Sequence, residues 1–193
     1  PAKEFSIAYA RRLNLPVPLS VALMVVENDG RPKKVSPKGA RGLMQVMPNT
    51  VKELAAFDKD AFGYLLDAKG NARMNLLDDP KTGVKVGMAA LKMYMDRYDG
   101  DAEKALIAYN WGPANVGKKE ADLTAAQKKG YDQAQTYVKN IRRVLRTTDG
   151  SDSSGNAPDQ SEGGRYAPLP QPSLLHYLPG EQGRPRATGS GGR

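Results

Sequence analysis

The sequence predicts an all-α domain followed by an irregular C-terminal segment, and three observations support this prediction. Apolar residues recur at spacings of three and four through much of residues 1–148, which is the period of an amphipathic helix. No part of that region shows a convincing period-two alternation, the pattern of a strand. Residues 149–193 contain nine Gly and six Pro, a composition that cannot sustain helix or strand. We therefore divide the chain into a helical domain, residues 1–148, and a linker-like tail, residues 149–193.

The sequence of the first half of the domain predicts four helices, and Pro, Asn or Gly residues mark most of their ends. Asn14-Leu15-Pro16 ends the first helix. Pro18 suits the opening turn of the second helix, which Asn28-Asp29-Gly30 ends. Pro48-Asn49-Thr50 begins the third. The predicted ranges are 4–13, 19–27, 48–57 and, for a short fourth helix, 60–67.

The second half of the domain predicts three helices, at 80–98, 101–110 and 131–145. Each carries apolar residues on one side at helical spacing, as expected of helices that pack around a shared core. In the longest helix this stripe consists of Val84, Met88, Leu91, Met95 and Tyr98. In the next it consists of Ala105, Ala108 and Tyr109, and in the last of Ala134, Tyr137, Val138, Ile141, Val144 and Leu145. We expect six to eight helices around one core.

The composition excludes several kinds of catalytic site. The chain has no Cys, which rules out a disulfide framework, a thiol nucleophile and Cys-ligated metal sites. Its one His, His176, rules out a multi-His metal cluster and disfavours a Ser-His-Asp triad. We therefore expect no metal and no cofactor.

The charge is positive and belongs to the domain. The chain has a net charge of +8, and residues 1–148 hold 25 basic and 16 acidic side chains against 4 and 5 in the tail. Such a balance suits a polyanionic partner: nucleic acid, an anionic membrane or an acidic cell-wall polymer. No apolar run reaches the roughly 18 residues of a transmembrane span, so we expect no transmembrane segment. The opening Pro-Ala-Lys-Glu also lacks the features of a signal peptide.

Glu27 is unusual because it follows an apolar run. Residues 21–26 are Val-Ala-Leu-Met-Val-Val, so the helix is buried and the carboxyl lies at its C-terminal end. Burial and the helix dipole would both raise the pKa of Glu27, as a general acid requires. From this residue alone, we favour an ordinary surface glutamate at the point where a helix reaches solvent.

Three further segments supply amides and aromatic rings. Residues 35–50 form a Gly-rich connection that contains Gln45, and residues 108–113 read Ala-Tyr-Asn-Trp-Gly-Pro. Tyr137-Val138 lies in the last predicted helix. Amides and aromatics around one carboxylate suit a polyhydroxylated ligand such as a glycan. Each segment alone is weak, since an aromatic residue at helical spacing usually belongs to the core.

Together, these segments closely resemble the soluble lytic transglycosylases, the goose-type-lysozyme-like enzymes that cleave bacterial peptidoglycan. Glu27-Asn28 matches the family's catalytic Glu-Ser, and the Gly-Leu-Met-Gln signature is intact at residues 42–45, preceded by Ser36-Pro37-Lys38-Gly39-Ala40. Ala108-Tyr109-Asn110 and Tyr137-Val138 match the two later motifs. The resemblance covers roughly residues 5–145.

The resemblance implies a lysozyme-like fold and one catalytic carboxylate. Glu27 would protonate the oxygen that links N-acetylmuramic acid to N-acetylglucosamine. It would then take the proton from the C6 hydroxyl as that oxygen attacks C1, which leaves a 1,6-anhydro end. The resemblance also implies support for Glu27 by hydrogen bonds from Tyr109 and Tyr137. The implied substrate contacts are Ser36, Gln45 and Asn110, with Met44 as the wall of the groove.

Two positions depart from the family pattern. Asn28 replaces the usual Ser, whose hydroxyl helps orient the glutamate, and we expect Asn28 to take over that support. Trp111 replaces a small residue. Its ring could stack on a sugar as a further substrate contact, or it could pack against the first helix.

Other functions remain open at this point. A hydrolytic muramidase would need a second carboxylate, either Asp29 or an acid in residues 58–79; Asp78 and Asp79 look like helix caps instead. A non-catalytic scaffold that binds glycan or protein partners is the other alternative. Specific nucleic-acid binding is not expected, because neither Lys33-Lys34 nor the Arg142, Arg143 and Arg146 cluster is interleaved with aromatics.

The predicted cellular location of the protein depends on the family resemblance and on the composition of the tail. Peptidoglycan lies outside the cytoplasm, and family members without an export signal are often carried in phage particles or secretion machines. We therefore expect a virion-borne protein that acts on the wall in the periplasm. Residues 149–193, which include an apolar Leu-Leu-His-Tyr-Leu stretch, would dock onto protein partners in that assembly.

Overall fold

The domain consists of α-helices, as predicted. The computed structural model describes residues 2–27, 31 and 33–148. Predictions that concern Asn28, Asp29 or the tail, residues 149–193, therefore lie outside the described residues. The pairs of extended backbone within these ranges are isolated bridges, as between Val35 and Arg41 and between Leu66 and Ala72. The helices are α1 (Ala2–Arg12), α2 (Val17–Glu27), α3 (Pro48–Phe57), α4 (Lys59–Phe62), α5 (Pro80–Arg97), α6 (Ala102–Trp111) and α7 (Ala125–Thr148).

Helix α5 runs through the centre of the domain. Within residues 83–95 every residue except Lys85 is buried, so the helix is buried on all sides and not only along the predicted stripe. It packs against α1, α3 and α6. A helix enclosed in this way needs small residues where neighbours approach, and Gly83, Gly87, Ala89 and Ala90 supply them.

Two boundaries differ from the prediction for identifiable reasons. The predicted helix 60–67 is only the short α4, followed by a 3₁₀ turn at Gly63–Leu65. Helix α7 begins at Ala125, six residues before the predicted start. Thr124 and Gln127 cap it reciprocally: the Gln127 backbone N–H donates to Thr124 Oγ1 (3.3 Å), and the Thr124 N–H donates to Gln127 Oε1 (3.0 Å). The helix then continues through Gly130.

The acids before α5 have separate roles. The Asp79 side chain accepts a hydrogen bond from the Thr82 backbone N–H (2.8 Å) and caps α5, as predicted. The prediction that Asp78 is also a cap is wrong, because both of its oxygens accept hydrogen bonds from the Arg41 guanidinium.

The last helix completes the domain. Helix α7 packs against α2 and α6, and its predicted apolar side faces them, with Ala134, Val138 and Ile141 buried. No helix within the described ranges is both long and apolar enough to cross a membrane. The contact between α2 and α7 brings the end of α2 to the middle of α7, and the candidate site lies there.

Candidate active site

Glu27 is the last residue of α2, and its carboxyl is largely withdrawn from solvent. Burial raises the pKa of Glu27 to about 7, although the hydrogen bond from Tyr137 and the charge of Lys34 act in the opposite direction. A large fraction of Glu27 is therefore protonated at neutral pH. The carboxyl can donate a proton there and accept one when ionised, as an acid–base catalyst must.

Tyr137 holds the carboxyl from α7. Its hydroxyl donates to Glu27 Oε1 at 2.6 Å, and its side chain is buried. Burial keeps the pKa of Tyr137 well above its ordinary value, so the phenol remains a hydrogen-bond donor at any pH at which the protein works. The contact predicted between Tyr137 and Glu27 is confirmed.

Tyr109 lies near Glu27 but bonds elsewhere. Its hydroxyl donates to the backbone carbonyl of Met44 at 2.8 Å, so the predicted hydrogen bond from Tyr109 to Glu27 is wrong. A phenol has one proton, and here it serves a buried carbonyl that would otherwise be unsatisfied. Burial and the nearby Glu27 charge both raise the pKa of Tyr109. Within the site, the Tyr109 oxygen can therefore act only as a hydrogen-bond acceptor, through its lone pairs.

Tyr109 is itself supported by three residues that the sequence did not reveal. The ring of Tyr94 lies edge-on to that of Tyr109, with centroids 6.4 Å apart. The Tyr94 hydroxyl donates to Glu53 Oε2 (2.9 Å), and Arg97 binds the other Glu53 oxygen (2.6 Å). These contacts join α3 and α5 directly behind the site. Only their apolar or charged character is visible in the sequence, not their pairing.

The connection between α2 and α3 is a compact loop built around Gln45. The Gln45 amide Nε2 donates to the carbonyls of Lys34 (3.0 Å) and Gly42 (2.9 Å). Its backbone has φ +44°, a left-handed conformation uncommon for a side chain of this kind. Both amide protons are used inside the loop, so the remaining polar atom, Oε1, is the one that can accept from a sugar.

Arg41 and Asp78 fasten this loop to the rest of the domain. Arg41 Nε and Nη2 donate to the two Asp78 oxygens at 2.7 and 2.6 Å, a bidentate geometry with strong directional preference. The backbone of Arg41 also pairs with Val46 across the loop. Neither residue was predicted as part of the site. An acid before a helix has the same pattern as a cap, and only the folded chain distinguishes the two.

Met44 does not form the wall of a groove. Its side chain is 0% exposed, which corrects the predicted substrate contact. The reason is the small residue opposite, since a Cβ at Gly87 of α5 would overlap the Met44 side chain. Met44 therefore fills the space above Gly87 and anchors the loop in the core.

Ser36 also has a structural role in this structure. Its Oγ accepts from the backbone N–H of Ala40 at 3.0 Å, and the backbones of the same two residues pair at 2.8 Å. These bonds close the turn that leads into the loop. The predicted contact of Ser36 with substrate therefore remains a prediction, with the hydroxyl proton as the group still able to donate.

Asn110 lies exposed at the edge of an open cleft of about 600 Å³. Tyr137 lines the same cleft, which connects it to the Glu27 carboxyl. The other lining residues all come from α7: Lys129, Asp132, Gln133, Thr136 and Asn140. The cleft therefore offers amides and hydroxyls next to one buried acid, as glycan recognition requires.

Trp111 packs against α7 and not against α1, the helix considered from sequence. Its ring lies edge-on to Tyr131 at 6.0 Å, and a Cβ at Gly130 would overlap the indole Nε1. The ring lines a smaller pocket of about 260 Å³ on the other side of α7 from the cleft. Trp111 thus does not line the cleft, and its contact with substrate stays a prediction.

The acids considered for a hydrolytic mechanism are mostly engaged in local structure. Asp58 caps α4, Asp67 accepts from two backbone N–H groups, Asp78 binds Arg41 and Asp79 caps α5. Asp29 lies outside the described residues. Asp132, which sequence reasoning did not consider, lines the cleft. Groups of three or more acids or histidines that could hold a metal ion are not found within the described ranges.

Comparison with known proteins places these observations in context. The family model "Transglycosylase SLT domain" matches residues 4–132. The soluble lytic murein transglycosylase of Escherichia coli K12 is 26% identical over 140 residues, which cover 69% of this chain and 20% of that protein. The transglycosylase of Enterobacteria phage PRD1 is 34% identical over 114 residues, which cover 58% of this chain and 36% of the phage protein. The chain thus spans only a part of the length of these relatives.

Two solved structures have the same fold. The lytic transglycosylase Slt of Pseudomonas aeruginosa matches with a TM-score of 0.58 at 24% identity, over 74% of this chain and 23% of that one. The 70 kDa soluble lytic transglycosylase of E. coli matches with the same score and identity, over 76% and 24%. The predicted all-α, lysozyme-like fold is confirmed.

Proposed function

The chain belongs to the transglycosylase SLT domain family, and on that premise we propose that it is a peptidoglycan lytic transglycosylase. Its substrate would be the β-1,4 bond between N-acetylmuramic acid and N-acetylglucosamine, and its product a 1,6-anhydromuramic end. One observation carries the proposal: Glu27 is a buried carboxyl with a pKa of about 7, held by Tyr137 beside the cleft that contains Asn110.

The chemistry uses Glu27 twice. Protonated Glu27 donates its proton to the glycosidic oxygen as the C1–O bond breaks, and the N-acetyl group of the muramic residue stabilises the positive charge at C1. The ionised carboxylate then removes the proton from the C6 hydroxyl as that oxygen bonds to C1. The proton balance is closed, and neither water nor a cofactor is consumed. A pKa near neutrality suits both steps.

The surrounding residues hold the acid and the sugar. Tyr137 donates to the carboxylate and therefore stabilises the ionised form that acts as base. Tyr109 acts through its oxygen lone pairs and through the Met44 carbonyl that it holds. Asn110 and the Oε1 atom of Gln45 bind sugar amides or hydroxyls, and the Ser36 hydroxyl is a further donor. Asn28 is proposed as a support of Glu27 in place of the family's Ser.

A hydrolytic muramidase is the second candidate, and Asp132 is the observation that favours it. This carboxylate lines the cleft and could activate a water molecule on the face of the sugar opposite Glu27, as inverting glycosidases require. Asp132 is exposed, whereas Glu27 is partly buried.

Product analysis separates these candidates. Purified sacculi are digested with the full chain and the muropeptides are measured by mass spectrometry. Anhydro-muropeptides from both the wild type and Asp132→Asn support the transglycosylase. Reducing ends that disappear in Asp132→Asn identify the hydrolase. Glu27→Gln should abolish both kinds of product, and a Gln variant as active as wild type would show that Glu27 is not the acid of either mechanism.

We also propose that the protein acts on the wall from a phage particle, in the periplasm or another extracytoplasmic space. Similarity to a phage transglycosylase supports this setting. Residues 149–193 would attach the domain to protein partners of the particle or of a secretion machine. If a chain that ends at residue 148 is incorporated as well as the full chain, the tail is not the anchor.

A further inference from the structure

Helix α7 carries more than half of the net charge of the domain. Its 24 residues include six cations and one acid, a net charge of +5. Residues 1–148 as a whole have a net charge of +9, from 25 basic and 16 acidic side chains. The remaining 124 residues therefore contribute only +4, and the positive charge is concentrated on one element.

These cations lie on the outer side of the helix. At 100° per residue, Lys128, Lys139, Arg142 and Arg146 fall within an arc of about 60°, and Arg143 and Lys129 extend that arc toward the cleft. All six are exposed. The opposite side of α7 carries the buried core residues. We name these six residues, Lys128, Lys129, Lys139, Arg142, Arg143 and Arg146, the α7 basic ridge.

Little in the described structure neutralises this ridge. Arg142 forms an ion pair with Glu103 at 2.5 Å, and Asp132 is the one acid of the helix itself. The other ridge cations take part in none of the ion pairs found among the described residues. Elsewhere in the domain, Arg41, Lys92, Arg97 and Lys104 each face a carboxylate. Like charges crowded on one helix lower stability, so a concentration of this kind suits an external anion.

The ridge and the cleft share one helix. Lys129 belongs to both, and Asp132, Gln133, Thr136, Tyr137 and Asn140 line the cleft from α7. With a rise of 1.5 Å per residue, α7 is about 36 Å long, so the ridge extends well past the cleft. A polymer held in the cleft therefore has α7 along its side, and an acidic group attached to that polymer can reach the ridge.

We propose that the α7 basic ridge binds the free carboxylates of the stem peptides carried by the glycan strand in the cleft. This inference rests on the proposed function, which puts a peptidoglycan strand there. Each muramic residue of such a strand bears a short acidic peptide, so the anions are covalently attached to the polymer in the cleft. The ridge thus selects peptide-bearing strands over bare glycan.

The composition of the ridge distinguishes this partner from two others. A helix that lies on an anionic membrane has apolar or aromatic residues on its exposed side to enter the lipid, and a single-strand nucleic-acid surface has aromatic rings for the bases. The exposed residues of α7 from 128 to 146 include neither: they are Lys128, Lys129, Asp132, Gln133, Thr136, Lys139, Arg142, Arg143 and Arg146.

Binding of the full chain in the Glu27→Gln background tests the inference without relying on turnover. The ridge variant is Lys139→Gln, Arg143→Gln and Arg146→Gln. Its matched control is Lys52→Gln, Lys59→Gln and Lys69→Gln, three exposed lysines on α3, on α4 and in the loop after it. Both variants lose three positive charges. Co-sedimentation with purified peptidoglycan, freed of phosphate polymers, gives the affinity, and circular dichroism checks the fold.

We expect the ridge variant to bind about tenfold more weakly than the control, from three lost charge contacts. Its affinity should also fall less steeply with added salt. On glycan strands stripped of peptides, or on peptidoglycan whose peptide carboxylates are converted to amides, the ridge variant and the control should bind with equal affinity.

Two outcomes overturn the inference. One is equal binding of the ridge and control variants to intact peptidoglycan. The other is a ridge-dependent binding that persists on stripped strands or appears on anionic lipid vesicles instead. Both results are independent of whether the active protein makes anhydro ends, so failure of this inference differs from failure of the proposed function.

Discussion

The Glu27 carboxyl has a stability cost that depends on pH. Burial raises its pKa from 4.5 to about 7, so between these values the folded protein binds more protons than the unfolded chain. The free energy of unfolding therefore falls as pH rises from about 4.5 to 7. An ion-paired carboxylate has the opposite pH dependence of the free energy of unfolding. The loss of stability is the expected cost of a buried acid that stays protonated near neutral pH.

Glu27→Gln should accordingly stabilise the protein at high pH. At pH 8 the variant lacks the buried negative charge and should be more stable by about 1–3 kcal/mol. At pH 4, where Glu27 is protonated in both states, the two proteins should be nearly equal. Thermal unfolding at the two pH values measures the difference. An equal shift of the melting temperature at both would contradict the burial of an ionisable group.

Tyr137→Phe should move the pH profile of activity. The hydroxyl lowers the pKa of Glu27 by donating to its carboxylate, so its removal raises that pKa. The limb on which kcat/KM falls with deprotonation of Glu27 should then shift to higher pH, together with a lower maximum. Tyr131→Phe, on the same helix but in the pocket beside Trp111, is the control. If both variants keep the wild-type profile, Tyr137 does not govern Glu27.

From the sequence, only the site residues that belong to recognisable motifs could be predicted. The structure brings Glu27 and Tyr137 together, and it places Asn110 in the cleft that Tyr137 lines. The partner of Tyr109, the burial of Met44 and the Arg41–Asp78 pair were not predicted. Each of these depends on a contact between residues at least 37 positions apart. Helical periodicity tells which side of a helix is buried, but not which atom of another element it meets.

At the scale of elements, the loop between α2 and α3 depends on a close approach at Gly42. Gly42 has φ +81°, and a Cβ there would lie 2.5 Å from the Leu77 carbonyl oxygen. Gly70 has a similar φ of +77° but nothing within 4 Å of its Cβ position. The two glycines therefore share the backbone strain and differ in the steric clash.

Gly42→Ala should destabilise the protein more than Gly70→Ala. The left-handed conformation costs about 1–2 kcal/mol in both, and the clash adds about 1–3 kcal/mol at Gly42 alone. Urea unfolding gives the two free energies. Gly42→Ala should also raise KM by moving Gln45. Equal stabilities of the two variants would mean that the loop backbone shifts without cost and removes the clash with the Leu77 carbonyl.

Gly130 is a helix-interior glycine kept for Trp111. Alanine would favour the helix by about 1 kcal/mol, but its Cβ would overlap the indole. We expect Gly130→Ala to destabilise the wild type and to stabilise the Trp111→Leu variant. The double-mutant cycle in chemical denaturation measures this coupling. A stabilising effect in both backgrounds would show that Trp111 does not need the glycine.

The elements themselves were largely predictable, because their ends carry local signals. Pro48 starts α3, and the start of α5 follows Asp79 as expected. The start of α7 was missed because Gly130 has the pattern of a break, while the capping pair Thr124 and Gln127 is visible only as two ordinary polar residues. The full enclosure of α5 was missed as well, since it depends on the number of neighbours around it.

At the scale of the whole molecule, the residues that the structure describes share one hydrophobic core. Every residue of the hydrophobic cluster, and of the apolar residues packed against it, lies between Phe5 and Leu145. Residues 149–193 have the Gly- and Pro-rich composition of a linker, so a chain of residues 1–148 should unfold cooperatively within about 2 °C of the full chain, a difference of well under 1 kcal/mol. Differential scanning calorimetry compares the two. A loss of many degrees would assign residues 149–193 to the fold.

The hydrogen bond between Glu27 and Tyr137 joins residues 110 positions apart, and this has a consequence for the timing of synthesis. On the ribosome Glu27 is made early, but Tyr137, its hydrogen-bond partner, belongs to the last helix. A contact of such long range also forms late in folding. The nascent chain therefore lacks the Glu27–Tyr137 hydrogen bond while it is being translated. The acid–base arrangement that the proposed function requires is therefore complete only after α7 has emerged and docked.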